Sequence, residues 1–310
     1  MTPAVATRSR TVGRGWSRQT RRNLLLGLAF TSPWIVGFLL FVVFPILASL
    51  YFSFTDYDVI RTPRFVGLRN YTRLFESDPL FWTVLYNTAY YVLIGVPGGV
   101  FVGFVLAALL NRSMPFRPLA RTIFFLPSIV PQVASALLWL WIFAPQYGLL
   151  NAYFQMIGQT SIPWLSDPSI AKLSLILIHL WSSGGVMVIF LAALQDVPRQ
   201  LYEAARVDGA TWLHELWHVT VPMVTPAILF NLITGLIFGF QYFTLAWLLT
   251  GGGPVNSTEF YSMYLYRNAF AFFKMGYASA MAWILFLVVV VCTVLLFRSS
   301  ARWAYYGGGE

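Results

Sequence analysis

Six long apolar stretches alternate with polar segments along the chain. They lie near residues 24–50, 84–110, 119–144, 171–194, 223–250 and 277–298. A helix needs roughly 20 apolar residues to cross the ~30 Å hydrocarbon core of a bilayer, and each stretch meets that length. The pattern therefore predicts an all-α, polytopic membrane protein with six transmembrane helices.

Two of these stretches contain residues that predict local helix geometry. Pro127 and Pro131 in the third stretch predict a kinked helix inside the bundle, because neighbouring helices must satisfy the freed carbonyls. The second stretch contains four glycines that allow helices to approach closely. These glycines are Gly95, Gly98, Gly99 and Gly103.

The segment between the fourth and fifth stretches, residues 195–222, is polar and charged. It predicts two short helices joined by a turn and held at a membrane surface. Asp196 can cap the first helix, and Gly209 can take the left-handed conformation that ends it. Thr211 can cap the second helix, and Pro222 marks the start of the next span.

Composition supports a membrane protein and disfavours other classes. The chain has 310 residues, of which 58% are hydrophobic and 10% charged. A soluble protein this apolar would aggregate, so most of the chain must face lipid or other helices. The net charge of +9 is compatible with a protein that binds nucleic acid. We expect none, because the basic residues lie in short segments beside apolar spans.

The distribution of Lys and Arg predicts the orientation. With the N-terminus in the cytoplasm, 13 of the 20 basic residues fall in inner segments and 7 in outer segments. This bias favours two cytoplasmic termini and a cytoplasmic insert. We expect a basic cytoplasmic segment at 1–23, a transmembrane domain at 24–300 and a cytoplasmic tail at 301–310. The first apolar run is too long for a cleavable signal, so we expect it to remain as a helix.

The sequence lacks the residues that several kinds of active site need. It has no Gly-x-x-x-x-Gly-Lys-Ser/Thr loop for ATP, and its apolar stretches contain no acidic residue for ion coupling. His214 and His218 have the spacing of a zinc pair but no third ligand nearby, so we expect no metal site. A hydrolase built from His179 with Ser182 or Ser183 would lack an orienting carboxylate. We therefore expect no enzyme activity and no cofactor on this chain, while a self-sufficient channel remains an alternative.

The insert contains a specific motif. Glu203-Ala204-Ala205 is followed after three residues by Gly209, and after nine more by Val219-x-Val221-Pro222. This pattern resembles the EAA signature of the membrane subunits of binding-protein-dependent ABC importers. Val219 and Val221 depart mildly from the Ile and Leu usual there.

Other segments resemble the carbohydrate-uptake branch of that family, in particular the larger maltose-type or glycerol-phosphate-type permease subunit. They are FVGLRNYTRLF (65–75), FFLPSIVPQVASALLWLWIF (124–143), LLTGGGPVNSTE (248–259) and FKMGYASAMAW (273–283). The resemblance covers roughly residues 24–300 and implies a type I importer permease fold in the cytoplasmic membrane. The large outer insertion and extra spans of the enteric maltose subunit are absent.

The resemblance also implies a mechanism and partners. The insert would be the coupling helix that docks on a separate ATPase dimer, which holds ATP and Mg. Residues of this docking surface would be Glu203, Ala204, Ala205, Asp208 and Gly209. A second permease subunit, an extracytoplasmic solute-binding protein, a sugar and membrane lipid would be the other partners. Glycerol phosphate or another polar solute is the alternative substrate.

The same resemblance implies where the sugar binds. The fifth stretch would face the translocation path with Phe238, Gln241 and Tyr242, and the fourth with Ser182 and Ser183. Phe238 and Tyr242 are four residues apart, so a continuous helix would place both rings on one face. Aromatic rings beside an amide suit a sugar, because its CH groups stack and its hydroxyls hydrogen-bond.

Overall fold

The computed structural model describes residues 18–112 and 114–305, and the chain divides into two compact units, residues 1–51 and 52–310. The first unit consists of helix α1 (Arg18–Phe38), a π-helical turn (Leu39–Val43) and most of α2 (Phe44–Ser53). Together they form one apolar helical stretch, longer than the 24–50 predicted. Most of the predicted basic segment and half of the predicted tail lie outside the described residues.

The second unit is mostly helical, in agreement with the predicted all-α class. It also contains a short antiparallel pair of two residues per strand, β1 (Thr55–Asp56) with β2 (Arg64–Phe65). The helices are α3 (Arg69–Thr72), α4 (Pro79–Asn111), α5 (Arg117–Ile129), α6 (Gln132–Ile142), α7 (Leu149–Met156), α8 (Ala171–Trp181), α9 (Gly184–Asp196), α10 (Arg199–Val207), α11 (Trp212–Glu215), α12 (Val221–Phe240), α13 (Thr244–Leu249), α14 (Tyr261–Tyr266) and α15 (Met275–Ser300). Further π-helical turns occur at Arg73–Ser77, Leu216–Thr220 and Arg267–Ala271.

The described residues contain four helical stretches long and apolar enough to cross a membrane. They are Arg18–Ser53, Pro79–Asn111, Trp212–Phe240 and Met275–Ser300. Two further pairs, α5 with α6 and α8 with α9, pass the same test but are bent by 100° and 44°. The number of spans is therefore between four and six, depending on whether each bent pair is one span.

The predicted kink in the third stretch is a full break. Helix α5 ends at Ile129, and α6 begins after Pro131. Val130 is extended, with φ −64° and ψ 128°, because the proline ring excludes the helical conformation at the preceding residue. Pro131 also has no N–H to continue the helical bonds, so the chain turns by 100° here.

The fourth stretch was predicted as one helix, and it is divided at Ser182 and Ser183. Their hydroxyls donate to the carbonyl of His179 at 3.0 Å and 3.4 Å. Serine hydroxyls that bond back to the preceding turn compete with backbone N–H groups and favour a bend. The two serines therefore accompany the 44° change of direction between α8 and α9.

The fifth stretch differs most from the prediction of 223–250. A continuous helix extends from Trp212 to Phe240, so it begins within the predicted insert and ends earlier. Residues 241–243 then leave the helix, and α13 starts at Thr244. The ring of Tyr242 turns inward and stacks on Tyr91, with centroids 4.2 Å apart.

The glycines of α4 allow close packing, as predicted. A Cβ built on Gly103 would lie 2.6 Å from Val186 Cγ1, and one on Gly99 would lie 2.9 Å from His179 Nε2. Gly95 and Gly98 also face α8. Helix α4 therefore packs along both halves of the α8–α9 pair, at distances that larger residues would prevent.

We expect Gly184→Ala to destabilise the protein by roughly 1–3 kcal/mol, the usual range for overpacking. A Cβ there would lie 2.9 Å from the Cα of Phe125, so it would meet the backbone of α5 and not the end of a flexible side chain. The measurement is the thermal midpoint in detergent. Gly185→Ala is the matched control, because a Cβ on this neighbour meets nothing within 4 Å. Equal midpoints for the two variants would show that the contact is not tight.

Candidate functional site

The first helix of the 195–222 insert starts later than predicted. Asp196 is the last residue of α9 and does not cap α10, which begins at Arg199 after Pro198. Pro198 occupies the capping position and supplies no side-chain acceptor. The prediction of an Asp196 cap is therefore wrong, because Val197 and Pro198 are extended and separate the two helices.

The end of α10 matches the prediction. Gly209 has φ +80°, in the left-handed region that glycine adopts without strain. The N–H of Gly209 donates to the carbonyl of Arg206 at 3.0 Å, and the N–H of Ala210 donates to that of Ala205 at 2.9 Å. This pair of bonds satisfies carbonyls that the helix end would leave free, and it closes α10 sharply.

The second helix of the insert is only partly as predicted. Thr211 precedes α11, but its hydroxyl pairs with His214 Nδ1 at 2.7 Å, and no capping bond from its side chain to the backbone is formed. Through a π-helical turn α11 continues directly into α12, so it is not a separate helix. Pro222 lies in the first turn of α12, where a missing N–H is tolerated.

Side-chain contacts hold the two helices of the insert together. Arg206 Nε donates to Glu215 Oε1 at 2.7 Å, which joins α10 to α11. The hydroxyls of Tyr202 and Thr220 are 3.0 Å apart and join α10 to the turn before α12. The hydrogen bond and charge of Glu215 raise the pKa of Arg206 above its ordinary value. The insert is therefore a braced unit whose helices are fixed to each other.

The residues predicted to dock on a partner lie at the exposed surface of the insert. Glu203, Ala204, Asp208 and Gly209 are exposed, and Ala205 is half-buried. Several large apolar side chains are exposed around them, including Val207 at 88%. The others are Leu201, Trp212, Leu213 and Trp217. An exposed apolar patch with charged residues at its edge is typical of a surface that binds another protein.

The two histidines of the insert are stacked. The rings of His214 and His218 have centroids 5.9 Å apart and an interplanar angle of 19°. His214 Nδ1 is occupied by Thr211, and His218 Nδ1 lies 3.2 Å from the carbonyl of His214. Across residues 18–112 and 114–305, no group of three or more His, Cys, Asp or Glu side chains could hold a metal ion.

The residues predicted to bind sugar do not form a single exposed surface. Phe238, 70% exposed, lies in the last turn of α12, and the exposed Gln241 follows directly after the helix. Tyr242 does not share a helix face with Phe238, because the helix has ended and its ring is packed inward. Ser182 and Ser183 bond to the carbonyl of His179, and Ser183 is buried.

Tyr91 of α4 is the residue that connects these groups, and the sequence analysis did not identify it. Its buried ring stacks on Tyr242 and contacts Phe260 edge-on at 5.5 Å. It also meets His179 at 5.8 Å, next to the bend at the two serines. Spacing gave a usable signal, because Tyr91 lies four residues before Gly95 and so shares its face of α4.

A polar cluster fixes the loop that precedes Phe260. Asn87 Nδ2 donates to the carbonyls of Asn256 at 2.8 Å and Glu259 at 3.0 Å, and Lys172 Nζ donates to Asn87 Oδ1 at 3.0 Å. Glu259 is buried and pairs with Arg267 at 3.3 Å. Burial raises the pKa of Glu259, and the charge of Arg267 partly opposes that change. The cluster anchors the 248–259 loop beside the aromatic group.

The chain is similar in sequence to permease subunits of ABC transporters. The chain is 41% identical over 298 residues to the probable ABC transporter permease protein YesP of Bacillus subtilis (strain 168), covering 95% of this chain and 96% of the relative. It is 36% identical over 282 residues to the lactose transport system permease protein LacF of Rhizobium radiobacter, covering 88% and 93%. The family prediction made from the EAA-like motif is therefore confirmed.

Solved structures agree with the fold. The chain matches a subunit in the crystal structure of a bacterial alginate ABC transporter in complex with an alginate pentasaccharide-bound periplasmic protein. The TM-score is 0.81 at 25% identity, covering 92% of this chain and 96% of the other. The fold is thus that of a type I ABC importer permease, a multi-pass membrane protein.

The family model for binding-protein-dependent transport system inner membrane components matches residues 95–304. This match includes the insert, its exposed surface and Tyr242, whereas Tyr91 lies just before it. The chain belongs to this family of membrane transport subunits.

Proposed function

We propose that this chain is the transmembrane subunit of an ATP-driven importer that moves a sugar or oligosaccharide across the cytoplasmic membrane by alternating access. The relatives named for lactose and alginate transport support a carbohydrate substrate. Another polar solute such as glycerol phosphate is the alternative within the same class. ATP and Mg would bind to a separate ATPase, since the sequence of this chain has no phosphate-binding loop.

The braced insert carries this proposal. A surface that transmits force must keep its shape, and the Arg206–Glu215 and Tyr202–Thr220 contacts give the insert that rigidity. Its exposed apolar side chains need a partner to cover them. We take that partner to be the ATPase, with Glu203, Ala204, Ala205, Asp208 and Gly209 as its docking residues.

The same proposal fixes the membrane arrangement. Each bent pair, α5 with α6 and α8 with α9, would count as one span, giving six spans with both termini in the cytoplasm. The excess of Lys and Arg on that side supports this orientation. The domain limits of 1–23, 24–300 and 301–310 remain part of this proposal, with the first helix extending back to Arg18. A second permease subunit would complete the translocation path, and an extracytoplasmic binding protein would deliver the sugar.

We place the sugar contacts near the end of α12. Phe238 and Gln241 are both exposed there, so the Phe238 ring is available to a ligand. The Gln241 amide donates to the carbonyl of Ile237 at 3.2 Å and would exchange that bond for one to a sugar hydroxyl. Tyr242 would support them from behind through its stacking on Tyr91. Ser182 and Ser183 are the further candidate contacts, and they would need to exchange their bonds to His179 for bonds to sugar hydroxyls.

We expect Glu203→Lys to reduce uptake by at least about tenfold in a reconstituted complex while ATP hydrolysis continues, because a docking acceptor is replaced by a cation. Uptake of labelled sugar and phosphate release are measured on the same vesicles. Asp196→Lys is the control, since it reverses an exposed carboxylate outside the docking surface, at the end of α9. Normal uptake by Glu203→Lys at normal protein level would contradict the docking role.

The Arg206–Glu215 pair allows a charge-swap experiment. We expect Arg206→Glu and Glu215→Arg, made singly, to lower the ratio of sugar transported to ATP hydrolysed by roughly twofold or more, because each leaves like charges facing each other. The double variant restores opposite charges and should recover most of that ratio. A double variant no better than either single one would show that the pair does not brace the insert.

We expect Phe238→Ala to raise the sugar concentration for half-maximal uptake roughly fivefold to tenfold, because a stacking ring is lost. The maximal rate should change less, since the insert is untouched. Phe230→Ala is the matched control, because Phe230 is also an exposed ring of α12 but lies ten residues, nearly three turns, before its end. Equal effects of the two substitutions would assign Phe238 to packing.

A further inference from the structure

A cavity of about 610 Å³ lies where three spans end and the insert begins. The end of α4, the start of α5, the end of α9 and the first turn of α10 enclose it. Its polar lining consists of Asn111, Arg117, Arg121, Gln195, Arg199 and Tyr202. None of the docking residues or sugar contacts discussed above belongs to it.

The charge of this cavity is uncompensated. It contains three guanidinium groups and no lining carboxylate. The ion pairs found among the described residues join other side chains, so no carboxylate of that part of the chain lies within 4 Å of Arg117, Arg121 or Arg199. Three cations that share one cavity repel one another, and an anion between them would remove that cost.

Arg121 provides an independent observation. Its Nε and Nη2 atoms are buried and have no hydrogen-bond partner among the described residues. A buried donor attached to a charged group is costly unless an acceptor satisfies it. Arg117 is held in place nearby, because its Nε donates to the carbonyl of Leu110 at 2.7 Å. The cavity therefore contains the Arg117 guanidinium, which a hydrogen bond holds in place, and the Arg121 guanidinium, which has unsatisfied donors.

We infer that this cavity binds a phosphate-bearing anion. A guanidinium offers parallel N–H donors that match two oxygens of a phosphate, and a phosphate has enough oxygens for more than one arginine. The position also fits, because the ends of membrane spans lie at the depth of lipid headgroups, where basic pockets between helices bind anionic lipids. The phosphate would come either from an anionic phospholipid or from solution.

The bound anion would join elements that otherwise have few contacts there. Arg117 and Arg121 belong to α5, whereas Arg199 is the first residue of α10. A phosphate between them would attach the start of the insert to α5 and would stabilise both. This inference does not depend on transport, so its test uses ligand-dependent stability and is separate from the tests of coupling.

The experiment uses the full chain in its purified complex, in a neutral detergent. The thermal midpoint is followed during titration with three probes: dioctanoyl-phosphatidylglycerol, dioctanoyl-phosphatidylcholine and inorganic phosphate. We expect a saturable rise with the anionic lipid and none with the zwitterionic lipid. Arg121→Gln should weaken the apparent affinity by about tenfold or more, as expected for loss of a hydrogen bond between charged groups.

Arg298→Gln is the control, because Arg298 also lies near the end of a span but is exposed and lines no part of the cavity. It should titrate like the unaltered protein. A saturable rise with inorganic phosphate that Arg121→Gln abolishes would support the anion site and assign it to a soluble phosphate. Equal responses to both lipids without a response to phosphate, or an unchanged titration in Arg121→Gln, would overturn the inference.

Discussion

The close packing of α4 against α8 and α9 is the constraint on which the rest of the structure depends. Gly99 and Gly103 leave no room for a side chain where His179 and Val186 meet α4, and Gly184 does the same where α9 meets α5. These short contacts favour the observed register, because a side chain at Gly99, Gly103 or Gly184 would force the helices to shift. That register places Tyr91 beside Tyr242 in one region and the end of α9 beside the insert in another.

One continuous helix connects the two regions to which we assign function. The stretch from Trp212 to Phe240 begins inside the insert and ends at the aromatic group, a length of roughly 43 Å at 1.5 Å per residue. A helix of this length is stiff compared with a loop, so displacement of the braced insert would reach Phe238 with little loss. The failed prediction of a separate second helix is therefore informative, because in the mechanism we propose a continuous helix would couple the two ends.

The sequence predicted features that depend on local chemistry and missed those that depend on tertiary packing. Gly209 was identified correctly because a left-handed turn favours glycine whatever surrounds it. The break at Pro131 was located correctly but underestimated, since proline predicts the site of a bend and packing sets its angle. The end of α12 at Phe240 was missed, because residues 241–250 are still largely apolar and contain no charged residue, glycine or proline that would mark a helix end. The inward packing of Tyr242 on Tyr91 depends on tertiary structure and could not be predicted from this segment.

The charged residues of the insert fall into two groups. Arg206 and Glu215 pair with each other, whereas the carboxylate of Glu203 forms no ion pair among the described residues. Arg206 is three residues from Glu203, close enough to pair with it, yet its guanidinium is bonded to Glu215 across the turn. That choice fixes α10 to α11 and leaves the Glu203 carboxylate without an ion-pair partner among residues 18–112 and 114–305. An exposed carboxylate on a rigid support loses little entropy when it binds a donor on another chain. If the insert docks as we propose, the internal ion pair would leave the adjacent Glu203 carboxylate free for an external partner.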